Sequence, residues 1–310
     1  MATEAKAFSL ELENVSKLRY ARASTAIAGF WALTKPEVNL LVAITVCIAF
    51  CVATPKDIRH FPVVALLNVL LGTVLIAGGS GALNQYIERR FDARMRRTSR
   101  RPLAAGNLKP VAALCFGLLL SVLGALYLAI AVNALAALLA VLASAAYLFV
   151  YTPLKRITPL CTLMGAFPGA VPPLIGWAAA TGRLSIEAWL LYSILFLWQF
   201  PHFMAIAWIY RKDYARAGYR ILPRRIAKTP FVMWQMLLPL LVAIPVSLVP
   251  TLLGYAGWIY DSGALLLSSL FLCCGVNLAI RRTNCAARRL LVASIAYLPT
   301  ILVLLMLDRV

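Results

Sequence analysis

Long apolar runs separated by short polar stretches make up most of this chain. Runs of spanning length occur at about 36–54, 62–87, 110–131, 133–151, 159–180, 186–210, 231–252, 258–280 and 288–307. A helix that crosses a bilayer needs about 20 mainly apolar residues. The pattern therefore predicts an all-α integral membrane protein with nine transmembrane helices, its two ends on opposite sides, and polar loops between the helices. The run at 159–180 carries Pro168, Pro172 and Pro173 in GAFPGAVPPLIGW. A break of that kind is tolerated at membrane depth where it is buried in protein or lines a cavity. Gly78, Gly79 and Gly81, late in the second run, allow a neighbouring helix to approach closely.

Composition supports the bilayer as solvent, because 62% of the 310 residues are hydrophobic and 13% are charged. A soluble domain carries about 25% charge. The net charge of +19 would point to nucleic acid in a soluble chain. Here the cations sit between apolar runs, so they report topology instead. With the N-terminus inside, 26 of the 30 Lys and Arg residues fall on inner segments, and Lys56, Arg59, Arg183 and Arg309 fall outside. Residues 1–30 read as a cytoplasmic segment without a signal peptide. Acidic Glu4, Glu11 and Glu13 mix there with Lys17, Arg19 and Arg22, and no apolar core precedes Trp31. Residues 31–310 read as one membrane domain. The seven cysteines form no metal-binding or disulfide pattern and read as small packing residues.

Chemistry enters at the end of the second run, in NQYIERRFDARMRRTSRRPLAAG, Asn84 to Gly106. Residues four apart drift by only roughly 40° around a helix, so Asn84, Glu88 and Asp92 share one face. Three oxygen donors beside seven arginines suit a metal-bound polyphosphate, magnesium above all. The alternative is a polar helix end, salt-bridged to its neighbours. Arg89, Arg90, Arg96 and Arg100 serve topology and anionic lipid, while Arg97 and Arg101 are the better candidates for diphosphate. A second inner loop, WQFPHFMAIAWIYRKDYARAGYRILPRR from Trp198 to Arg225, brings Lys212 and Asp213 to the same side. The equivalent placement of the two loops suggests two four-helix halves. A third inner loop holds Tyr151 and Lys155, the lysine facing either a lipid headgroup or a phosphate. His202 belongs either to packing or to an acceptor. Asp213 alone could be an ordinary ion-pair residue. Aromatic faces at Tyr151, Trp198, Phe200, Phe203 and Trp208 suit a carbocation, although aromatics also gather at interfaces.

Together these motifs resemble a known family. N-x-x-x-E-x-x-x-D followed by Met95, Arg97, Thr98, Arg101, Pro102 and Leu103 is similar to the first signature of the protoheme IX farnesyltransferases, a branch of the UbiA-type intramembrane prenyltransferases. YTPLKR, GAFPGAVPPLIGW and WQFPHFMAIAWIYRKDYARAG resemble its other signatures, so the likeness runs from about 31 to 300. It implies a UbiA-type helical bundle with a lateral opening to lipid. It assigns Asn84, Glu88 and Asp92 to the first metal-diphosphate motif and Asp213 to the second, with Mg2+ as cofactor. The chain departs from the wider superfamily at Glu88, where aspartate is usual, at Ala217, where a second acid is frequent, and at Cys161, where many relatives have asparagine.

The resemblance implies transfer of a farnesyl group from farnesyl diphosphate to a vinyl group of heme B, giving heme O, in a bacterial cytoplasmic membrane. Asp92, Asp213 and Lys155 are then the expected catalytic residues. Arg97, Arg101, Lys212, Tyr151, His202 and Trp198 are the expected substrate contacts. Membrane lipid and a downstream heme A synthase or terminal oxidase assembly are the expected partners, and nucleic acid is not. Two rivals stand beside this reading. One is prenylation of an aromatic quinone precursor. The other is a transporter or heme-handling scaffold whose basic loops bind anions, which would explain the charge but not the carboxylate stripe.

Overall fold

The computed structural model describes residues 26–56, 58–222 and 230–310. Residues 1–25, most of the expected cytoplasmic segment, lie outside the described residues, as do 223–229 at the end of the second polar loop. The helices are α1 (Pro36–Ala53), α2 (Val63–Asp92), α3 (Pro110–Ala131), α4 (Ala134–Leu154), α5 (Cys161–Thr181), α6 (Ile186–Ile209), α7 (Arg211–Ala217), α8 (Pro230–Leu252), α9 (Trp258–Arg281) and α10 (Asn284–Leu307). All but the short α7 are long and apolar enough to span a membrane, which makes nine among the described residues. The protein is an all-α, multi-pass membrane protein.

The ends of the helices depart from the apolar runs where polar residues find partners inside the protein. The second run ends at about 87, yet α2 continues through Glu88 to Asp92, and both acids are buried. A charged residue marks a helix end only when it has to reach water.

Lipid takes the place of water around the bundle. Val64, Ile130, Phe149, Ile280 and Leu307 are all exposed, which in water would make an aggregation-prone surface. Burial inside the protein varies from 22% of the apolar window in α3 to 61% in α5, so α3 is peripheral and α5 central. Two buried clusters form the core. One joins α1, α5, α6, α8, α9 and α10, and the other joins α1 to α5. The halves are not separate four-helix units, because α1 and α5 each present one face to both clusters. Ile48 and Trp177 go one way, Phe50 and Ile175 the other.

Helix α5 breaks between Gly169 and Pro172, as its prolines require. The buried Gln199 side chain on α6 donates to Ala166 O, in the turn before the break, at 3.1 Å. Helix α4 widens into a π-helical segment over Ala146–Tyr151. The carbonyl of Tyr147 accepts there from both the backbone N–H and the hydroxyl of Thr152. Such segments often occur at functional sites.

Close packing fixes α2 against α3. A Cβ on Gly79 would lie 2.7 Å from the carbonyl of Gly117, and one on Gly124 would lie 2.6 Å from the amide nitrogen of Ile76. Only glycine allows the two backbones to meet at these points.

Candidate active site

The last two turns of α2 carry the site. Asn84, Glu88 and Asp92 are at most 4% exposed and follow one helix face. Each oxygen donor is held by a cation from a different segment. Lys35 Nζ, just before α1, donates to Asn84 Oδ1 at 2.6 Å and to the Tyr147 hydroxyl at 3.1 Å. Lys155 Nζ, just after α4, donates to both oxygens of Glu88 at 3.0 and 3.2 Å. Arg101 Nη1, from the loop after α2, donates to Asp92 Oδ2 at 2.8 Å. Asn84 Nδ2 reaches Thr152 Oγ1 at 3.1 Å.

Local geometry maintains this arrangement. Lys35 adopts a left-handed conformation, φ 53°, immediately before Pro36. Non-glycine residues in that region concentrate at functional sites. Thr98 is buried and donates from Oγ1 to the Asp92 carbonyl at 2.9 Å, which curls the arginine loop back over the end of α2. Lys155 lies 4.5 Å from the ring centre of Tyr151. Burial alone would lower the pKa of Lys155, but the Glu88 carboxylate together with Tyr151, Tyr147 and Tyr219 outweighs it and holds the ammonium well above the usual lysine range.

The second polar loop closes over the first. Met95, Ala217 and Tyr219 form a small buried cluster with Phe91 and Tyr214 against it. Arg220 N donates to Lys155 O at 2.8 Å, tying the third polar loop to the second. Arg97 is exposed and lies 5.0 Å from the Tyr210 ring centre, with Nη2 3.5 Å from the Tyr214 hydroxyl. Asp213 pairs with Arg216 at 3.2 Å. Lys212 is exposed on α7. Arg90, Arg96 and Arg100 are exposed as well, while Arg89 is half-buried and donates to Tyr86 O in its own helix.

Trp198 and His202 point elsewhere. The Trp198 indole donates to Ser294 O at 2.7 Å, and His202 Nδ1 lies 2.8 Å from Ser294 Oγ on α10. Their rings stack at 4.5 Å. None of their hydrogen bonds or ring contacts reaches the acid face.

The donor set suits a hard divalent cation. Among the described residues no three His, Cys, Asp or Glu side chains converge on one point, yet magnesium needs only one or two carboxylates when phosphates complete its shell. Asp92 Oδ1 is buried without a hydrogen-bond partner, an acceptor left over in a site rich in donors. Two carboxylates and an amide oxygen fit Mg2+ on these grounds. A cavity of about 160 Å³ against Trp177, Glu187, Tyr255 and Arg309 lies at the opposite end of the bundle and takes no part.

Several site residues escaped the sequence reading. Lys35 looked like one more topological charge, and its position before Pro36 was the available signal. Thr152 lay inside the YTPLKR signature without being singled out, and Tyr147 and Tyr219 gave no signal, because each joins the site through segments distant in the chain.

Comparison with known proteins identifies the family. A family model described as the UbiA prenyltransferase family matches residues 40–298. A protein named protoheme IX farnesyltransferase from Solibacter usitatus is 46% identical over 283 residues, covering 89% of this chain and 97% of the relative. The solved structure of digeranylgeranylglyceryl phosphate synthase has a TM-score of 0.76 at 15% identity, covering 91% of this chain and 98% of that one. A UbiA homolog from Archaeoglobus fulgidus bound to GPP and Mg2+ has a TM-score of 0.63 at 15% identity, covering 89% and 99%. At such identities the structural likeness speaks for the fold, and the sequence relative speaks for the branch. The chain therefore belongs to the UbiA prenyltransferase family, among its protoheme IX farnesyltransferases.

Proposed function

We propose that this protein is an enzyme that transfers the farnesyl group of farnesyl diphosphate to a vinyl group of protoheme IX (heme B), giving heme O and diphosphate. The observation that carries the site reading is the pairing of Asn84, Glu88 and Asp92 with Lys35, Lys155 and Arg101 on one buried face. In the resting protein these groups compensate one another. They are also the two halves of a metal-diphosphate site. Asn84, Glu88 and Asp92 would hold Mg2+, with Asp213 as a further donor from the second loop, and the three cations would hold phosphate oxygens. Bound there, the ion supplies charge neutralisation at the leaving diphosphate.

The chain's own residues account for the remaining steps. As the C1–O bond breaks, its electron pair leaves with the diphosphate, and Lys35, Lys155 and Arg101 stabilise the growing charge. The Tyr147 and Tyr151 rings, 5.7 Å apart, offer their faces to the allylic cation beside the lysines. The π pair of the vinyl group then forms the new C–C bond, and water adds to the resulting cation with loss of one proton. Arg97 and Lys212, both exposed, attract the anionic substrate to the mouth of the site. Trp198 and His202 belong to the acceptor side. Ser294 engages His202 Nδ1, so an acceptor would have to be met by Nε2.

The same proposal places the site on the cytoplasmic side of a bacterial inner membrane, with the C-terminus in the periplasm. Membrane lipid surrounds the bundle, and a downstream heme A synthase or terminal oxidase assembly receives the product. The test is to incubate purified protein with heme, farnesyl diphosphate and Mg2+ and to look for a heme product of increased mass. Prenylation of a quinone precursor in place of heme would reject the acceptor, and no transfer to either would reject the enzyme reading.

A further inference from the structure

Tyr219 has no part in the signatures that mark the site, yet the second polar loop holds it beside the acid face, in a buried cluster with Met95 and Ala217. Its backbone follows a tight turn at Gly218, φ 83°, and its amide donates to Tyr214 O at 2.9 Å. The next residue, Arg220, is bonded to the carbonyl of Lys155 at 2.8 Å. The Tyr219 ring packs 5.6 Å from Phe91, which lies between Glu88 and Asp92 in sequence, and edge-on to Tyr214 at 6.0 Å. The side chain is 7% exposed.

The hydroxyl is buried and forms no hydrogen bond of good geometry, although the Glu88 carboxylate is close enough to interact with it. Packing alone would be served better by phenylalanine, since a buried hydroxyl without a partner is penalised. Asp92 Oδ1 and Arg156 Nε are likewise buried and unpartnered, and the Arg156 guanidinium lies 3.8 Å from the centre of the same Phe91 ring. Arg156 and Tyr219 thus both pack against Phe91, at the end of the helix that carries the oxygen donors. A tyrosine hydroxyl is a neutral O–H donor at working pH.

We propose that Tyr219 binds the diphosphate, donating its O–H to a phosphate oxygen once that anion occupies the acid face. The proposal rests on the diphosphate reading of the site. The second loop would then contribute a neutral donor where the wider superfamily often places another acid, two residues earlier at Ala217. A neutral donor strengthens anion binding without adding a negative charge beside the leaving group.

Tyr219→Phe keeps the ring and removes only the hydroxyl. Calorimetric titration with magnesium pyrophosphate should show affinity about tenfold weaker or more, the loss of one hydrogen bond to a charged group. Melting temperature should be unchanged or higher, and heme binding should equal that of the parent. Unchanged pyrophosphate affinity, or a loss that accompanies a lowered melting temperature, would return Tyr219 to packing. A parent that binds no magnesium pyrophosphate overturns the whole reading, Tyr219 included. A binding parent with an indifferent Tyr219→Phe overturns this assignment alone.

Discussion

Lys155→Met tests the central ion pair most directly. The substitution keeps length and apolar bulk and removes the ammonium that contacts both oxygens of Glu88. The lysine and glutamate side chains are only 12% and 5% exposed, so solvent cannot replace the lost partner. Removing one member of a buried pair costs about 3–5 kcal/mol. Lys35, bonded to Asn84 one turn away, offers some compensation and favours the lower end. At about 2–4 °C per kcal/mol for chains of roughly this size, the detergent-solubilised protein should melt about 6–10 °C lower. Glu88→Gln combined with Lys155→Met removes both charges and should recover most of the loss, while transfer activity stays abolished. The sign of the pH dependence follows from the raised pKa of Lys155. A cation whose folded pKa exceeds its unfolded value contributes fully below the unfolded value, near 10.4, and loses that contribution as pH rises through the folded one. The contribution of this pair to stability should therefore be flat between about pH 6 and 9. A Lys155→Met variant melting within about 1 °C of the parent would show a solvated, weak pair and would refute the buried-site reasoning.

Other expectations are independent of that pair. Asp92→Asn keeps size and hydrogen bonding but loses the carboxylate charge, so turnover should fall by about 10² or more while heme binding persists; near-normal activity at saturating Mg2+ would remove Asp92 from the ligands. His202→Ala should weaken heme binding by about tenfold, as for a lost ligand or hydrogen bond, and leave farnesyl diphosphate affinity unchanged. Absorbance titration that shows parental heme affinity would leave His202 as packing for Trp198 and Ser294. A periplasmic reporter should be active after Val310 and inactive after Arg100, and the reverse pattern would put the acid face on the wrong side for a cytoplasmic diphosphate.

What could be read from the sequence depended on whether the cause was local. Each spanning helix follows from the length of an apolar run, a property of consecutive residues, and the nine runs match the nine helices to within a few residues at most ends. The stripe of Asn84, Glu88 and Asp92 was legible because helical periodicity alone puts the three residues on one face. Their partners were not. Lys35 meets Asn84 across 49 residues, and Lys155 meets Glu88 across 67, so a single sequence carries no trace of either contact. Lys155 read equally well as a lipid or a phosphate contact until burial beside Glu88 turned it inward. The widening of α4 was illegible for a different reason. One extra residue per turn depends on how Thr152 can bond to the Tyr147 carbonyl, which composition and hydropathy do not register.

The contact between α2 and α3 bears on how this protein can vary. The acid-bearing end of α2 keeps its place because the helix leans on α3 through backbone atoms at Gly79, Gly117 and Gly124. Along the lipid face one aliphatic residue can replace another at little cost, since any of them dissolves in hydrocarbon. At these points of contact a hydrogen atom is the largest side chain that fits, and even a methyl group would wedge the helices apart and swing the acid face with them. Random mutagenesis should therefore find a class of inactive variants remote from the reacting atoms, whose defect is a displaced helix rather than a missing chemical group.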